Sequence, residues 1–502
     1  PAAMPGEAVT LQLGHYSGCV GAHWWGLQVR GGRGMGGGGR AGPGARCDLG
    51  QSSKWAKNRG EVSEVISALP GMLRAGRTFA LPSAGAAPVG SQDAPSVRLW
   101  SDYLNVQLHP KSVYVIRQYL HDGDCDCLEA FGQGESLLQD PACVEELEDR
   151  LHFYVEECDY LQGFQVLCDL HNGFSGVGAK VTELLHDEYS RKGILTWGLT
   201  PDPQNSFYRL MNTALGIAHL SRHSSLFCPL SLSGSLGIKP EAPVTFPYIK
   251  YEASLNYHSS AILAAALDTL TAPYRLWSSQ GSMMHFADSL TFSGRKVVAA
   301  WAALPFPALP GSSLPEILSA HQQDLPWKLL SSWREQKVSC CFAQSVVLRG
   351  ICQEKPTSCP GQPRSPLHRC ESPEEVLQQF LHTQFPGAFR WVQAGGAGLE
   401  LGRAEGALVT SFISSHPAVS HPAGVESIPV LAALQSCPGL HSLLWGLCRE
   451  LRAPSARRWG SSGTAGLEHD DFQEALEELK TLAQCYEMGF GADGSEDEAD
   501  SD

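Results

Sequence analysis

Between residues 144 and 199 the spacing of apolar positions changes character twice. Val144, Leu147, Leu151, Val155 and Cys158 recur every three or four residues, which predicts a helix with one buried face and Gly163 as its breaker. Residues 164–170 are a short, mostly apolar run and predict a strand. The glycine-rich stretch 171–178 follows, and a helical period restarts over 179–189 through Val181, Leu184, Leu185 and Glu188. Residues 193–199 predict the next strand. Helix, strand, glycine loop, helix, strand is the signature of a parallel sheet flanked by helices. A glycine loop between a strand and a helix N-terminus suits an anion, because free backbone N–H groups and the helix dipole converge there.

The same α/β alternation extends through residues 131–242, where a helix over 207–220 places Leu210, Ala214, Ile217 and Ala218 on one face. Residues 7–28 predict a strand and the start of a helix. Residues 97–104 predict a helical turn or two, and 113–116 a strand. Residues 243–352 predict a mixed second domain, with a helix over 259–270 and strands over 296–301 and 345–348. Residues 353–424 are loop-rich with one helix, signalled by Ser372 as cap, Pro373 in the first turn, and Glu374 and Glu375 at the favourable end of the dipole. Residues 425–490 predict a C-terminal helical region from Val430 onward, its last helix burying Phe472, Leu476, Leu479, Leu482 and Tyr486. Residues 491–502 form an acidic tail, read either as bait for basic partners or as a solvated terminus.

Residues 30–95 break the pattern. The Arg/Gly run over 30–46 has no apolar period and supplies no core, so the segment is read as a low-complexity or atypical insert. An RGG-like run suits RNA, but a flexible linker is the preferred reading.

At 502 residues, 43% hydrophobic and 18% charged, the chain is globular and long enough for two or three domains. Its formal net charge of −15 argues against nucleic acid as a partner. No stretch reaches the roughly 18–20 apolar residues of a spanning helix. No secretory signal or Arg-rich transit segment is visible. The 16 cysteines are scattered. Cys125 with Cys127, and the set Cys340, Cys341, Cys352, Cys359 and Cys370, lack the paired spacing of zinc sites, so no metal is expected.

Several strings resemble the tubulin superfamily. They are Leu11-Gln-Leu-Gly-His-Tyr-Ser-Gly18, Phe131-Gly-Gln133, the glycine loop 171–178 with the residues leading into it, Thr245-Phe-Pro-Tyr-Ile249, Arg457-Arg-Trp459, Glu468-His-Asp-Asp-Phe472 and the acidic tail. Ala22-His-Trp-Trp25, residues 146–164, Gly173-Phe-Ser-Gly-Val-Gly-Ala179, Val346-Val-Leu-Arg-Gly-Ile351 and Val425-Glu-Ser-Ile-Pro-Val430 resemble the misato family, a divergent branch. The likeness covers residues 7–28 and most of 96–490. It implies a tubulin-like nucleotide-type domain over 7–28 and 96–242, with a family strand expected within 30–95 that the sequence does not reveal; only residues 73–78 look familiar there. It also implies a cytoplasmic protein acting on mitochondrial distribution, morphology and fusion, peripheral on the cytosolic face of the mitochondrial outer membrane.

The resemblance also locates a nucleotide site. Gly14, His15 and Ser17 fall in the first loop, with His15 where tubulins place a glutamine. Gly173, Gly176 and Gly178 match glycines of the phosphate signature, and Ser175 stands where a threonine would donate a hydroxyl. Asn212 matches the asparagine that meets the guanine base; its plainer reading is a helix residue facing solvent. Phe174 and Val177 replace small residues, so the loops read as vestigial, their glycines serving geometry. The loop that supplies tubulin's activating carboxylate corresponds to residues 231–242 and offers only Glu241. The expectation is therefore a protein without catalytic residues and without a required cofactor, GTP binding staying open. One alternative is an adaptor in tubulin biogenesis, engaging tubulin, the cytosolic chaperonin or prefoldin. Another is a divergent GTP-binding switch.

Overall fold

In a computed structural model the chain is described over residues 7–34, 65–69, 99–103, 108–116, 128–202, 207–234, 236, 241–247, 249–275, 282–308, 313–322, 325–332, 340–351, 366–394, 399–400, 427–452 and 469–487. The cysteines at 125, 127, 352 and 359, the strings at 73–78 and 457–459, most of the Arg/Gly run and the acidic tail lie outside these residues.

The first sheet has six parallel strands: β1 (Glu7–Leu13), β2 (Val65–Leu69), β3 (Val113–Val115), β4 (Leu161–Asp169), β5 (Gly193–Leu199) and β6 (Leu226–Leu230). Their order is β3-β2-β1-β4-β5-β6. Every residue of β1, β5 and β6 is buried, as expected of strands covered on both faces. The helices of this half are α1 (His15–Gly34), α2 (Phe131–Leu137), α3 (Pro141–Glu157), α4 (Phe174–Glu188) and α5 (Phe207–His223). The long apolar helix α6 (Asn256–Leu270) packs along α1 and continues toward the second sheet through α7 (Ala272–Arg275) and α8 (Met283–Leu290).

The second sheet holds β7 (Ala299–Ala303), β8 (Lys328–Leu329), β9 (Ala343–Arg349) and β10 (Phe389–Ala394), with α9 (Leu314–Ala320) and α10 (Pro373–Gln384) alongside. The short strands β11 (Leu399–Glu400) and β12 (Ser427–Ile428) pair with each other, and β13 (Val430–Ser436) completes the larger sheet in the order β10-β9-β13-β7-β8. The sheets meet at β6, where the Phe227 amide donates to Lys296 O at 2.8 Å and the Val298 amide to Phe227 O at 2.9 Å. Helices α11 (Gly439–Arg452) and α12 (His469–Gln484) lie side by side over α5. Asp268 of α6 is the fully buried ionic centre: Arg275 contacts it at 2.5 Å, Arg349 of β9 at 2.6 Å, and the indole N–H of Trp24 in α1 at 3.3 Å.

Four expectations need correction. A strand does lie within residues 30–95: β2 pairs in parallel with both β1 and β3. Five residues in a long aperiodic segment carry too little pattern to stand out. Gly163 breaks no helix. The helix ends at Glu157, and Gly163 sits inside β4, where a Cβ would meet Gly193 O at 2.1 Å. The face of α3 also turns further than its apolar spacing suggests, burying Leu147, Leu151 and Tyr154 while Val144, Val155 and Cys158 are half-buried. Finally, residues 430–436 are a strand, not the start of a helical region, and they sit between β9 and β7. Boundaries at 352 and 424 therefore fall inside one sheet. Leu and Ala favour helices, yet full burial on both faces of a sheet overrides that weak preference. The last helix conforms more closely: Leu476, Leu479 and Tyr486 are buried, with Phe472 and Leu482 half-buried against the core. Ser372 caps α10 by accepting from the Glu375 amide at 3.2 Å.

Candidate functional site

The strand order reverses between β1 and β4, and open parallel sheets bind ligands at the carboxyl ends of strands at such a point. Gly14 follows β1 there with φ +115°, a left-handed conformation suited to glycine. A Cβ on Gly14 would stand 2.4 Å from the carboxyl carbon of Asp169, the last residue of β4. Asp169 is fully buried. Its Oδ1 accepts from the Ser17 amide at 2.7 Å and its Oδ2 from the Tyr16 amide at 3.0 Å. The N-terminus of α1, which in nucleotide folds faces a phosphate, thus holds a carboxylate of the same chain. Burial pushes Asp169 up to about 7, against the pull of the Tyr16 and Ser17 amides and the Asn172 side chain. His15 opens α1 and is buried, its Nε2 3.9 Å from Cys19 Sγ. Ser17 Oγ donates to Gly14 O at 3.0 Å.

The second glycine stretch is not a loop. Helix α4 begins at Phe174, so Ser175, Gly176 and Gly178 lie within it. Asn172 Oδ1 accepts from the Phe174 amide at 3.0 Å, and Ser175 Oγ donates to Asn172 O at 2.7 Å. Gly173 donates its amide to Leu128 O at 2.9 Å. The glycines admit neighbours. A Cβ on Gly176 would be 2.0 Å from Phe131 O, one on Gly134 of α2 would be 1.7 Å from Gly173 O, and one on Gly178 would be 2.5 Å from Cys168 Sγ. Phe174 is buried in the core.

Asn212 does not face solvent; it is fully buried. Its Oδ1 accepts from the Phe131 amide at 2.8 Å, and its Nδ2 donates to Glu129 O at 2.5 Å and His171 O at 3.3 Å. It ties α5 to the segments before α2 and after β4. His171 Nδ1, Thr200 Oγ1 and Arg209 Nη1 are buried with no hydrogen-bond partner among the described residues, and Arg209 lies within electrostatic reach of Asp169. Burial and the nearby Arg209 charge lower His171 to about 3. The segment 231–242 supplies hydroxyls instead of a carboxylate cluster: Ser231 and Ser233 lie 2.9 Å apart, Ser332 donates to Ser233 O at 2.6 Å, and Glu241 is exposed.

The residue that sequence reasoning missed is Asp169. Its signal was a single acidic position in an otherwise apolar strand directly before the glycines, since a buried carboxylate needs dedicated donors. Among the described residues no group of three or more His, Cys, Asp or Glu could hold a metal, and no helix is long and apolar enough to cross a membrane.

Parallel strands β1 and β4 flanking a glycine-opened helix, followed by the core helix α6 and a second mixed sheet, define a protein of the tubulin superfamily, and the description "Tubulin domain" matches residues 89–276. Within it the chain belongs to the misato family. It is 45% identical to misato homolog 1 of Bos taurus over 96% of this chain and 98% of the bovine protein. It is also 45% identical to the Homo sapiens homolog over the same shares, and 30% identical to misato of Drosophila melanogaster over 79% of this chain and 72% of the fly protein. The superfamily implies a guanine nucleotide, and the residues present do not fit one. The α1 amides are engaged by Asp169, Gly173 and Gly176 are closed off by Leu128 and α2, and Asn212 is spent on three backbone groups.

Proposed function

We propose that this chain is a non-catalytic tubulin-like protein that organises mitochondria, controlling their distribution, morphology and fusion from the cytoplasm and the cytosolic face of the outer membrane. The observation that carries the reading is its likeness to misato proteins along nearly its whole length. The engaged amides of α1 and the side chain of Asn212 support the non-catalytic part: groups that would bind a nucleotide are used to hold the fold. On this reading purified protein does not hydrolyse GTP faster as its concentration rises.

The test is depletion in cells with rescue by this sequence, scoring mitochondria and soluble tubulin in the same cells. Fragmented or clustered mitochondria with normal tubulin, restored by rescue, support the proposal. A fall in tubulin that precedes the mitochondrial change overturns it in favour of an adaptor working with tubulin and the cytosolic chaperonin or prefoldin.

A further inference from the structure

We infer that Asp169 is a built-in substitute for a phosphate: the chain supplies its own anion to the N-terminus of α1, which frees the fold from any nucleotide. Three observations carry this. Both carboxylate oxygens are engaged by successive amides at the start of the helix, Ser17 at 2.7 Å and Tyr16 at 3.0 Å. The absence of a side chain at Gly14 is what lets the carboxylate approach, since a methyl group there would stand 2.4 Å from it. Arg209 feels the Asp169 charge, and its Nη1 is buried with no hydrogen-bond partner among the described residues.

The physical logic is substitution of one anion by another. A helix N-terminus has several amides without intrahelical partners and a partial positive charge. A phosphate satisfies them when bound and leaves them unsatisfied when it departs. A carboxylate fixed to the neighbouring strand cannot depart, so above about pH 7, where it is ionised, it satisfies them without a ligand and joins β4 to α1 at the same time. The Arg209 guanidinium stays within electrostatic reach of the carboxylate as a further group able to meet an anion. Removal of the carboxylate should reopen the site to a small external anion.

The experiment compares full-length wild type with Asp169→Ala and Asp169→Asn at pH 8, following thermal unfolding with added inorganic phosphate or pyrophosphate against chloride of equal ionic strength. GTP binding is followed by fluorescence with a labelled analogue. The wild type should show no phosphate-specific shift and no saturable GTP binding. Asp169→Ala should unfold at a lower temperature and regain a few degrees in millimolar phosphate, because a ligand that binds only the folded state raises its midpoint. Should the Ala variant not fold, Asp169→Asn keeps one acceptor oxygen and should show a smaller loss with partial recovery in phosphate. Saturable phosphate or GTP binding by the wild type would overturn the inference, and so would soluble variants whose midpoints ignore phosphate.

Discussion

The hydroxyl of Tyr486 clasps one residue twice: it donates to Val297 O at 2.6 Å and accepts from the Val297 amide at 2.8 Å. Val297 lies at the seam where β6 meets the second sheet, so the end of α12 is fastened to the junction of the two halves. Arg295 adds a third tie by donating to Cys485 O at 2.8 Å.

Truncation should therefore be sharply graded. A chain ending after Glu487 retains the clasp and should unfold like the full chain. One ending after Gln484 loses Tyr486, a fully buried aromatic, and should lose roughly 3–5 kcal/mol. Tyr486→Phe isolates the hydroxyl and should lose about 1–3 kcal/mol, because it strands the buried Val297 groups. Denaturant unfolding of the three proteins checks the order.

The Asp268 cluster joins α6 to α7 and β9 through opposite charges in the interior, and to α1 through the Trp24 indole N–H. Removing one partner of a buried pair leaves the others uncompensated. Asp268→Ala should lose about 3–5 kcal/mol by denaturant midpoint, more than the loss of an exposed pair such as Arg452 with Glu477.

Two slopes should oppose each other in the pH dependence of stability. Asp169 is raised from an ordinary 3.8 to about 7, so the folded state keeps a proton there that the unfolded chain releases. Its contribution is fully present below pH 3.8 and is lost as pH rises through about 7, on the order of a few kcal/mol. His23 and His171 are lowered to about 3 by burial, so their contributions are present above pH 6.5 and are lost as pH falls toward 3. Asp169→Asn should remove the first slope and leave the second, visible in thermal midpoints collected from pH 4 to 8.

Gly176→Ala should destabilise by about 1–3 kcal/mol or more, since the new methyl meets the Phe131 carbonyl, which is backbone and yields little. Gly14→Ala combines a left-handed backbone with a clash at Asp169. Its loss should be smaller on an Asp169→Ala background than on wild type, because the two 2.4 Å approaches to the carboxyl group are then gone and only the 2.7 Å approach to Cβ remains. A double-mutant cycle measures that coupling.

The strands β1, β4 and β5 were legible because they are buried and read as largely apolar runs; 193–199 coincides with β5. The elements misread were those whose local preference opposes their setting. Residues 430–436 carry Leu and Ala yet form a central strand, and Gly176 and Gly178 look like a loop yet sit inside a helix because α2 and Cys168 approach them. The candidate glycines were found, but the partners that explain them are distant in sequence: Phe131 for Gly176, Asp169 for Gly14. Asn212 carried no sign of its three backbone partners, since those lie 81, 83 and 41 residues away.

The position of β13 bears on how the chain is made. It supplies the middle of the second sheet, between β9 and β7, yet it is the last of that sheet's strands to be synthesised. Until Ser436 has emerged from the ribosome, β7 and β9 each present an open edge of unpaired backbone groups, β7 for well over a hundred residues of further synthesis. Such edges recruit other strands. The order of the strands thus leaves the centre of this sheet to be filled in one late step.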